Sequence, residues 1–590
     1  MTNHKSIAVL PLENLSSDPE NEYFSDGMTE EIINALSKID GLKVTARTSS
    51  FVFKNVKKDV RHIGNELGVS LVLEGSVRKA GNSVRITTQL IRTDNGFHIW
   101  SENFDRKLED IFALQDEISL LVADRIRENF GHLEIKDQLV RRPTENIQAY
   151  ELFLKGRFYF FTWHLPNIEK AITFFEQSIN VDPQFDQPYF GASYCHCLLG
   201  SWNYKDKESA FQQAEKYLSD GAKLGEPSVI RYFAEAVYHF WGHWDYKKAY
   251  QCLQQAHHIN QQDADPLDFM AELGRSIGDF FGALKLNAKG LEVNPLSPNA
   301  YFTRSTLYYF QGQFEETLHT IESGLSIDPD FQLLHQLKAL SLIQTGQKEA
   351  LDLFLKDIIS NPFLSRVADL LYGLLHNEKV DQEALEDAIT AINQSEAPLL
   401  YPWELYLRLH NHQHEAAMDL LVQKVAAREG QVVNFKNDPL LRPLIYEPVF
   451  LELVNQHFPD QQLASDSDAH REEVQPSDEL MSKEEVTHFK AQLSVLLEEQ
   501  QTYLDTALTL RSLAETIDLH PNKLSWLLNQ KIGKNFNDYI NGYRLKAFQE
   551  KATDPQNSHL TLLGLAYESG FTSKSVFNDF FKKSTGLTPK

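Results

Sequence analysis

Glycine stands at positions 278, 312 and 346, and proline at 295 and 329, so both recur every 34 residues. A fixed period of this length marks a stacked array of helix–turn–helix units, each burying its apolar face only against its neighbours. In Gly278-Asp279-Phe280-Phe281-Gly282-Ala283 the first glycine ends a helix, Phe280 packs the turn and Ala283 allows a close crossing. Gly312-Gln313-Phe314 repeats this with Thr317 in place of the alanine, and Pro295 and Pro329 stop the second helix of each unit. Ala171, Phe175, Ser178 and Pro183 form an earlier copy, and Gly242 to Ala256 a looser one. After Pro362 the pattern degrades, although Ala416–Val425 and Leu440–Val454 still read as helices. Residues 146–455 are therefore expected to form five or six repeats plus a capping segment, with a concave face for partners. Repeat register puts Phe160, Trp163, Phe302, Tyr309 and Phe310 on that face, where they would grip a protein, a peptide or a small ligand.

This period resembles that of tetratricopeptide repeats. Nearer the C-terminus a second kind of repetition appears. Leu513-Ala514-Glu515-Thr516-Ile517-Asp518-Leu519, followed by a helix over Pro521–Lys531, recurs 52 residues later as Leu565-Ala566-Tyr567-Glu568-Ser569-Gly570-Phe571, followed by a helix over Thr572–Ser584. In each copy a small alanine lets two helices cross, the turn residue Asp518 or Gly570 tolerates a left-handed conformation, and Leu519 or Phe571 pins the turn to the core. Two such units suggest two helices presented to double-stranded DNA.

The stretch 486–590 resembles the DNA-binding domain of AraC/XylS-type transcription regulators. The second unit carries the closer likeness, from Ala566 through Gly570-Phe571-Thr572 and Phe580-Phe581 to Gly586-Leu587-Thr588-Pro589. The first matches through Leu510, Leu513-Ala514, Pro521, Leu524-Ser525, Gly533-Lys534-Asn535-Phe536, Tyr539 and Arg544, with 536–551 as the joining helix. In the second recognition helix Val576, Phe577 and Phe580 form the expected buried stripe, Thr572 the cap, and Ser573, Lys574, Ser575, Asn578 and Lys582 the outward face. In the first, Leu524, Leu527 and Leu528 face inward and Asn522, Lys523, Ser525, Trp526 and Gln530 outward. Asn and Gln can read adenine edges, whereas Lys531, Lys534, Lys582 and Lys583 suit backbone phosphate. The resemblance implies both helices in successive major-groove segments, and a homodimer and RNA polymerase as further partners.

Charge supports a DNA-binding tip on an acidic body. The whole chain carries −25, yet residues 520–590 hold 10 Lys/Arg against 5 Asp/Glu, which leaves −30 on the rest. Between body and tip, residues 459–485 hold nine Asp/Glu, two Lys/Arg and few large apolar side chains, and read as an acidic, flexible linker.

Residues 1–130 read as an α/β domain. The expected strands are Ile7–Leu10, Leu42–Ala46, Ser70–Arg78, Val84–Arg92 and His98–Phe104, with helices over Thr29–Lys38, Val60–Leu67 and Ile111–Phe130. Ala80-Gly81-Asn82 and Asp94-Asn95-Gly96 are hairpin turns. The segments Glu13-Asn14-Leu15-Ser16, Tyr23-Phe24-Ser25-Asp26-Gly27, Ala46-Arg47-Thr48-Ser49-Ser50-Phe51 and Leu73-Glu74-Gly75-Ser76-Val77-Arg78 resemble the TolB-like domain that precedes repeats in bacterial regulators.

Nothing convergent points to catalysis, a metal or a cofactor. Cys195-His196-Cys197 places two thiols about 200° apart on a helix, and no second Cys pair completes a tetrahedral site. Thr48-Ser49-Ser50 lacks a nucleophile elbow or phosphate loop and reads as a polar loop after a strand. Three cysteines, no span of 18 apolar residues and no secretion signal place the chain in the cytoplasm. The expected fold class is multidomain: an N-terminal α/β domain, a central α-helical tetratricopeptide-repeat solenoid and a C-terminal all-α tandem helix-turn-helix domain. The expected function is sequence-specific transcription regulation with signal sensing by the body. A protein-interaction scaffold worked by the repeat groove is the alternative.

Overall fold

The computed structural model describes residues 5–162, 165–202, 204–357, 362–394, 400–458, 480–557 and 559–589. The chain opens with a mixed sheet of β1 (Ser6–Val9), β2 (Glu13–Asn14), β3 (Lys43–Val44), β4 (Leu71–Ala80), β5 (Ser83–Arg92) and β6 (His98–Lys107). Its order is β3-β1-β4-β5-β6. β1 runs parallel to β3 and β4, and β4, β5 and β6 form an antiparallel meander. Ile7 and Val9 point into one apolar cluster and Ala8 and Leu10 into another, so β1 is covered on both faces.

The four helices of this unit are α1 (Glu22–Leu36), α2 (Arg47–Phe51), α3 (Val60–Leu67) and α4 (Ile111–Phe130). α1 begins seven residues before the expected Thr29 and takes in Tyr23–Gly27. α1 packs closely on the first repeat helix there: a Cβ on Gly27 would stand 2.9 Å from the Leu154 side chain.

The expected loop at Thr48–Ser50 is instead helix α2, and Ser49 works as a staple. Its hydroxyl donates to Asn294 Oδ1 at 2.6 Å and accepts from the Leu296 N–H at 2.8 Å. The Ala46 N–H reaches Val293 O at 2.9 Å, so the first domain is bonded to a repeat some 245 residues away in sequence. Ser49→Ala should leave the Leu296 N–H unpartnered and the Asn294 amide with only the Ser49 N–H as donor from this segment, and cost about 1–3 kcal/mol. Thermal melting checks this; an unchanged midpoint would mean that the two parts are held together elsewhere.

Residues from Ile147 to Ala426 form eight helix pairs among the described residues, against the five or six repeats expected. Gly278, Gly312 and Gly346 end their helices at φ of 93°, 77° and 67°. Each is followed by the same capping bond, Asp279 N–H to Gly274 O, Gln313 to Tyr308 and Gln347 to Leu342, at 2.8, 2.9 and 3.1 Å. The pairs after Pro362 keep the helices while losing these glycines, which is why the sequence undercounts them. Beyond the last pair the chain turns back: His457 and Phe458 pack on Trp244 and Tyr246, and Asn434 accepts from Ser276 at 2.9 Å.

The last unit is all helical. A helix over Lys483–Ser494 starts on a capping box of Ser482 and Glu485, and Met481 is buried. Structure therefore begins inside the stretch assigned to the acidic linker; 459–479 lie outside the described residues. The remaining helices are Leu510–Thr516, Pro521–Trp526 with a π-turn over Leu527–Ile532, Phe536–Thr553, Leu562–Glu568 and Lys574–Thr585.

Candidate nucleic-acid interface

The two turns of the last unit are built alike. Asp518 and Gly570 have φ of 53° and 92°. The Leu519 N–H bonds Ala514 O at 2.9 Å and the Phe571 N–H bonds Ala566 O at 3.1 Å. Both alanines are fully buried, as a close helix crossing requires. The helix Phe536–Thr553 joins the units through buried Arg544, which donates to Tyr503 O at 2.8 Å and Asp505 O at 2.9 Å. Burial lowers its pKa to about 10, against the pull of Asp505.

The second recognition helix, Lys574–Thr585, is open. Thr572, Lys574, Ser575, Lys582 and Lys583 are exposed, and Ser573 and Asn578 are half-buried. Ser573, not Thr572, is the cap, accepting from the Val576 N–H at 3.3 Å. Val576 is 39% exposed; the buried stripe starts one residue later, with Phe577, Phe580 and Phe581 packed on Phe548 and Phe571. The packed stripe runs i, i+3, i+4 from Phe577, and Val576 lies about 100° away from Phe577 around the helix. Lys583 is tied to Asp538 at 2.8 Å.

The first recognition helix is covered. Ser525 and Trp526 were expected outward, yet both are buried, together with Leu524, Leu527 and Leu528. Trp526 belongs to the apolar cluster that contains Met481 and Leu493. Asn522, Ser525 and Asn529 share a face by helical spacing, and that face meets the N-terminal domain. Asn529 Oδ1 lies 3.0 Å from where a Cβ on Gly131 would stand. Gln530, Lys531 and Lys534 are exposed, and Lys523 is half-buried beside Glu485 at 3.4 Å.

Asn522 is the centre of this dock. Its Oδ1 accepts from Arg127 at 2.6 Å and from the Ile135 N–H at 3.3 Å, and its Nδ2 donates to Ile135 O at 3.1 Å. The Ile135 peptide groups thus offer a donor and an acceptor side by side, the pattern that adenine offers in the major groove. Around it, Glu128 accepts from the Leu510 N–H at 2.9 Å, Arg511 pairs with Asp124 at 3.1 Å, and Asn535 and Asn537 donate to Asn129 at 3.0 and 2.9 Å. His520 stands 3.5 Å from Asp137. Burial raises the Glu128 carboxyl and lowers the Arg127 guanidinium, opposed by Arg125 for the first and Asp124 for the second. Sequence reading missed the α4 side of this contact, because Asp124, Arg127 and Glu128 look like any solvated stripe at helical spacing.

The repeats and the N-terminal domain enclose a cavity of about 1910 Å³. Phe160, Phe302 and Phe310 line it. Tyr309 does not: it is fully buried against Phe310 and Phe314. Trp163 lies outside the described residues. Cys195 and Cys197 are buried in separate apolar clusters, and burial pushes both thiols up. No helix among the described residues is long and apolar enough to cross a membrane.

"Putative adenylate cyclase 3" of Rhizobium meliloti (strain 1021) is 42% identical to this chain over 178 residues, which are 30% of each protein. The chain thus spans about a third of that curated relative. Among solved structures, a human IFIT1 dimer with PPP-AAAA aligns with 15% identity over 58% of this chain and 77% of its own, at a TM-score of 0.35. YrrB, described as a TPR protein with an unusual peptide-binding site, aligns with 17% identity over 33% of this chain and 96% of its own, at 0.22. Residues 3–121 match the family described as HilA/YgeH-like transcriptional regulator, second domain; the match does not name the expected TolB-like domain. Residues 513–590 match the helix-turn-helix domain family. Across a helical repeat array, the chain joins a HilA/YgeH-like regulator domain to an AraC-type helix-turn-helix domain, the parts of a transcription regulator.

Proposed function

We propose that this protein is a sequence-specific regulator of transcription whose N-terminal domain holds one of its two DNA-reading helices in reserve. The observation that carries the reading is Asn522, a residue suited to read adenine, with its amide occupied by Arg127 and the Ile135 backbone. The second helix, with Lys574, Ser575 and Lys582 exposed, is free to meet a major groove. Docked, the protein would grip DNA through one helix; undocked, through two. The body supplies the signal that shifts this balance, and non-enzymatic regulation accounts for its parts. The cyclase activity in the relative's name belongs to that protein.

Selection of the full chain on random duplex DNA at physiological salt tests the reading. One enriched motif is expected, and Lys574→Ala with Lys582→Ala should weaken its binding and flatten the salt dependence by about two phosphate contacts. No enriched motif would overturn the reading in favour of a scaffold that works through the repeat cavity.

A further inference from the structure

The cavity between the N-terminal domain and the repeats is richer in acid than in base: eleven Asp and Glu line it against six Lys and Arg. One wall is a single face of the helix Asp265–Ile277, which brings Asp265, Asp268, Phe269, Glu272 and Arg275 to the cavity at helical spacing. Most of its charges are answered within the protein. Asp268 accepts from Asn287, Asn299 and Thr303. Glu272 pairs with Arg275 at 3.2 Å. Asp265 differs: its side chain is exposed to the cavity, and among the described residues it has neither an ion pair nor a side-chain hydrogen bond.

Facing Asp265 and Glu272 is an aromatic wall. Tyr194 lies 5.7 Å from Phe233 and 6.0 Å from Trp241, and Trp241 lies 5.9 Å from Phe269. Tyr194, Phe233 and Trp241 are only half-buried and line the cavity. Burial and then the negative charges of Asp265 and Glu272 drive the Tyr194 hydroxyl well up, so the rings and the carboxylates share one space. Beside Arg275, Tyr401 also lines the cavity; it is 6% exposed, and its hydroxyl has no hydrogen-bond partner among the described residues. A guanidinium already sits on aromatic rings in this cavity: that of Arg47 lies 4.0 Å from the Phe51 ring and 4.1 Å from the Phe161 ring.

We propose that this cavity is the binding site of a small organic cation, an ammonium or guanidinium, seated against Tyr194 and Trp241 with Asp265 as its counter-charge. Aromatic faces attract a cation electrostatically, and more strongly where water is excluded. The crowding of Asp265 by Asp268, Glu30 and Asp263, with only Arg47 to oppose it, is what the ligand would relieve. Burial, then Asp268 and Glu30, raise Asp265 to about 6; burial and then Glu272 raise Asp268 to about 6; burial, then Asp265 and Glu30, raise Asp263 to about 7. Cation binding therefore expels protons and tightens as pH rises from about 5 to about 8.

The site also touches the dock. Lys136, Gln138, Leu139, Val140 and Arg141 line the cavity, while Ile135 and Asp137 of the same stretch hold Asn522 and His520. A ligand pressing on this stretch acts on the grip around the recognition helix. This last step rests on the proposed docking; the binding site does not.

Calorimetric titration of the full chain with spermidine and, separately, butylguanidinium, which carries no amine, tests the site and tells an ammonium from a guanidinium ligand. Saturable binding of at least one probe is expected, tighter at about pH 8 than at about pH 5. Asp265→Asn should weaken it about tenfold or more. The same substitution should raise the melting temperature at about pH 8. A carboxyl raised in the folded state contributes stability only below its unfolded pKa, lost as pH climbs through its folded value, so removing it relieves a cost at pH 8. A variant that melts higher yet binds less cannot be explained by misfolding. Equal binding by Asp265→Asn and the parent would mean cations condensing on an acidic surface, and no binding of either probe would also overturn the proposal. Reciprocity tests the coupling without DNA: Glu128→Ala, which loosens the dock, should bind the same probe more tightly. Equal affinity would remove the coupling alone.

Discussion

Glu128→Ala in the full chain should bind the selected DNA motif about 5- to 150-fold more tightly than the parent. In the docked state Glu128 is buried and accepts from the Leu510 N–H at 2.9 Å. Truncation leaves that N–H without a partner when docked, a cost of about 1–3 kcal/mol. Undocked, Leu510 is the first residue of its helix and its N–H meets water. The lost bond raises the energy of the docked state, offset in part by the desolvation that the buried carboxylate no longer bears, while the Arg125 pair on the same helix is lost docked or undocked. The substitution also spares the DNA-binding unit, so a gain in affinity cannot come from a new contact to DNA. Fluorescence anisotropy with a labelled duplex checks it, and unchanged affinity would show that docking and DNA binding do not compete.

Gly570→Val should act in the opposite direction and more severely. Gly570 sits at φ 92°, where a β-branched residue is strained by about 1–3 kcal/mol. Its new Cβ would also stand 2.7 Å from Tyr503 O and 3.0 Å from Arg544 Nε, the bond that joins the two units. Neither atom can move away cheaply, because Arg544 is buried and Tyr503 O belongs to the main chain. DNA affinity should fall about a hundredfold or more as the second recognition helix loses its support, about 2.7 kcal/mol or more. The same titration gives the answer, together with a thermal melt; parent-like binding would mean that the second unit does not carry the contact.

Much of this architecture was legible because its signals are local. Gly278, Gly312 and Gly346 report their own helix ends, and Asp518 and Gly570 their own turns, whatever lies around them. Strands β4 to β6 followed from alternation and hairpin residues in the same way. What failed to show was anything decided by a distant partner. Ser525 and Trp526 look like outward positions on a lone helix and are buried because other elements cover both sides. Ser49 looks like a loop serine until Asn294 is brought to it. Val576 was misplaced because the i, i+1, i+4 stripe that includes it overlaps the i, i+3, i+4 stripe from Phe577, and packing on Phe548 and Phe571 decides for the second. The cavity was half visible: Phe160, Phe302 and Phe310 were assigned to its face, but Asp265 and Tyr194, on different repeats, share no spacing that marks them as neighbours.

The staple at Ser49 and the returning segment at His457 and Phe458 have a mechanical consequence. An unbraced solenoid is a spring whose coils open one at a time, since each touches only the next. Here the N-terminal domain clamps both the first helix pair, through Arg157 on Glu31, and the end of the fourth, through Ala46 and Ser49. From the other end the returning segment clamps the third pair. Opening any of the first four pairs must break these clamps along with the contacts between neighbours, so a load on the cavity wall passes to the N-terminal domain that they hold.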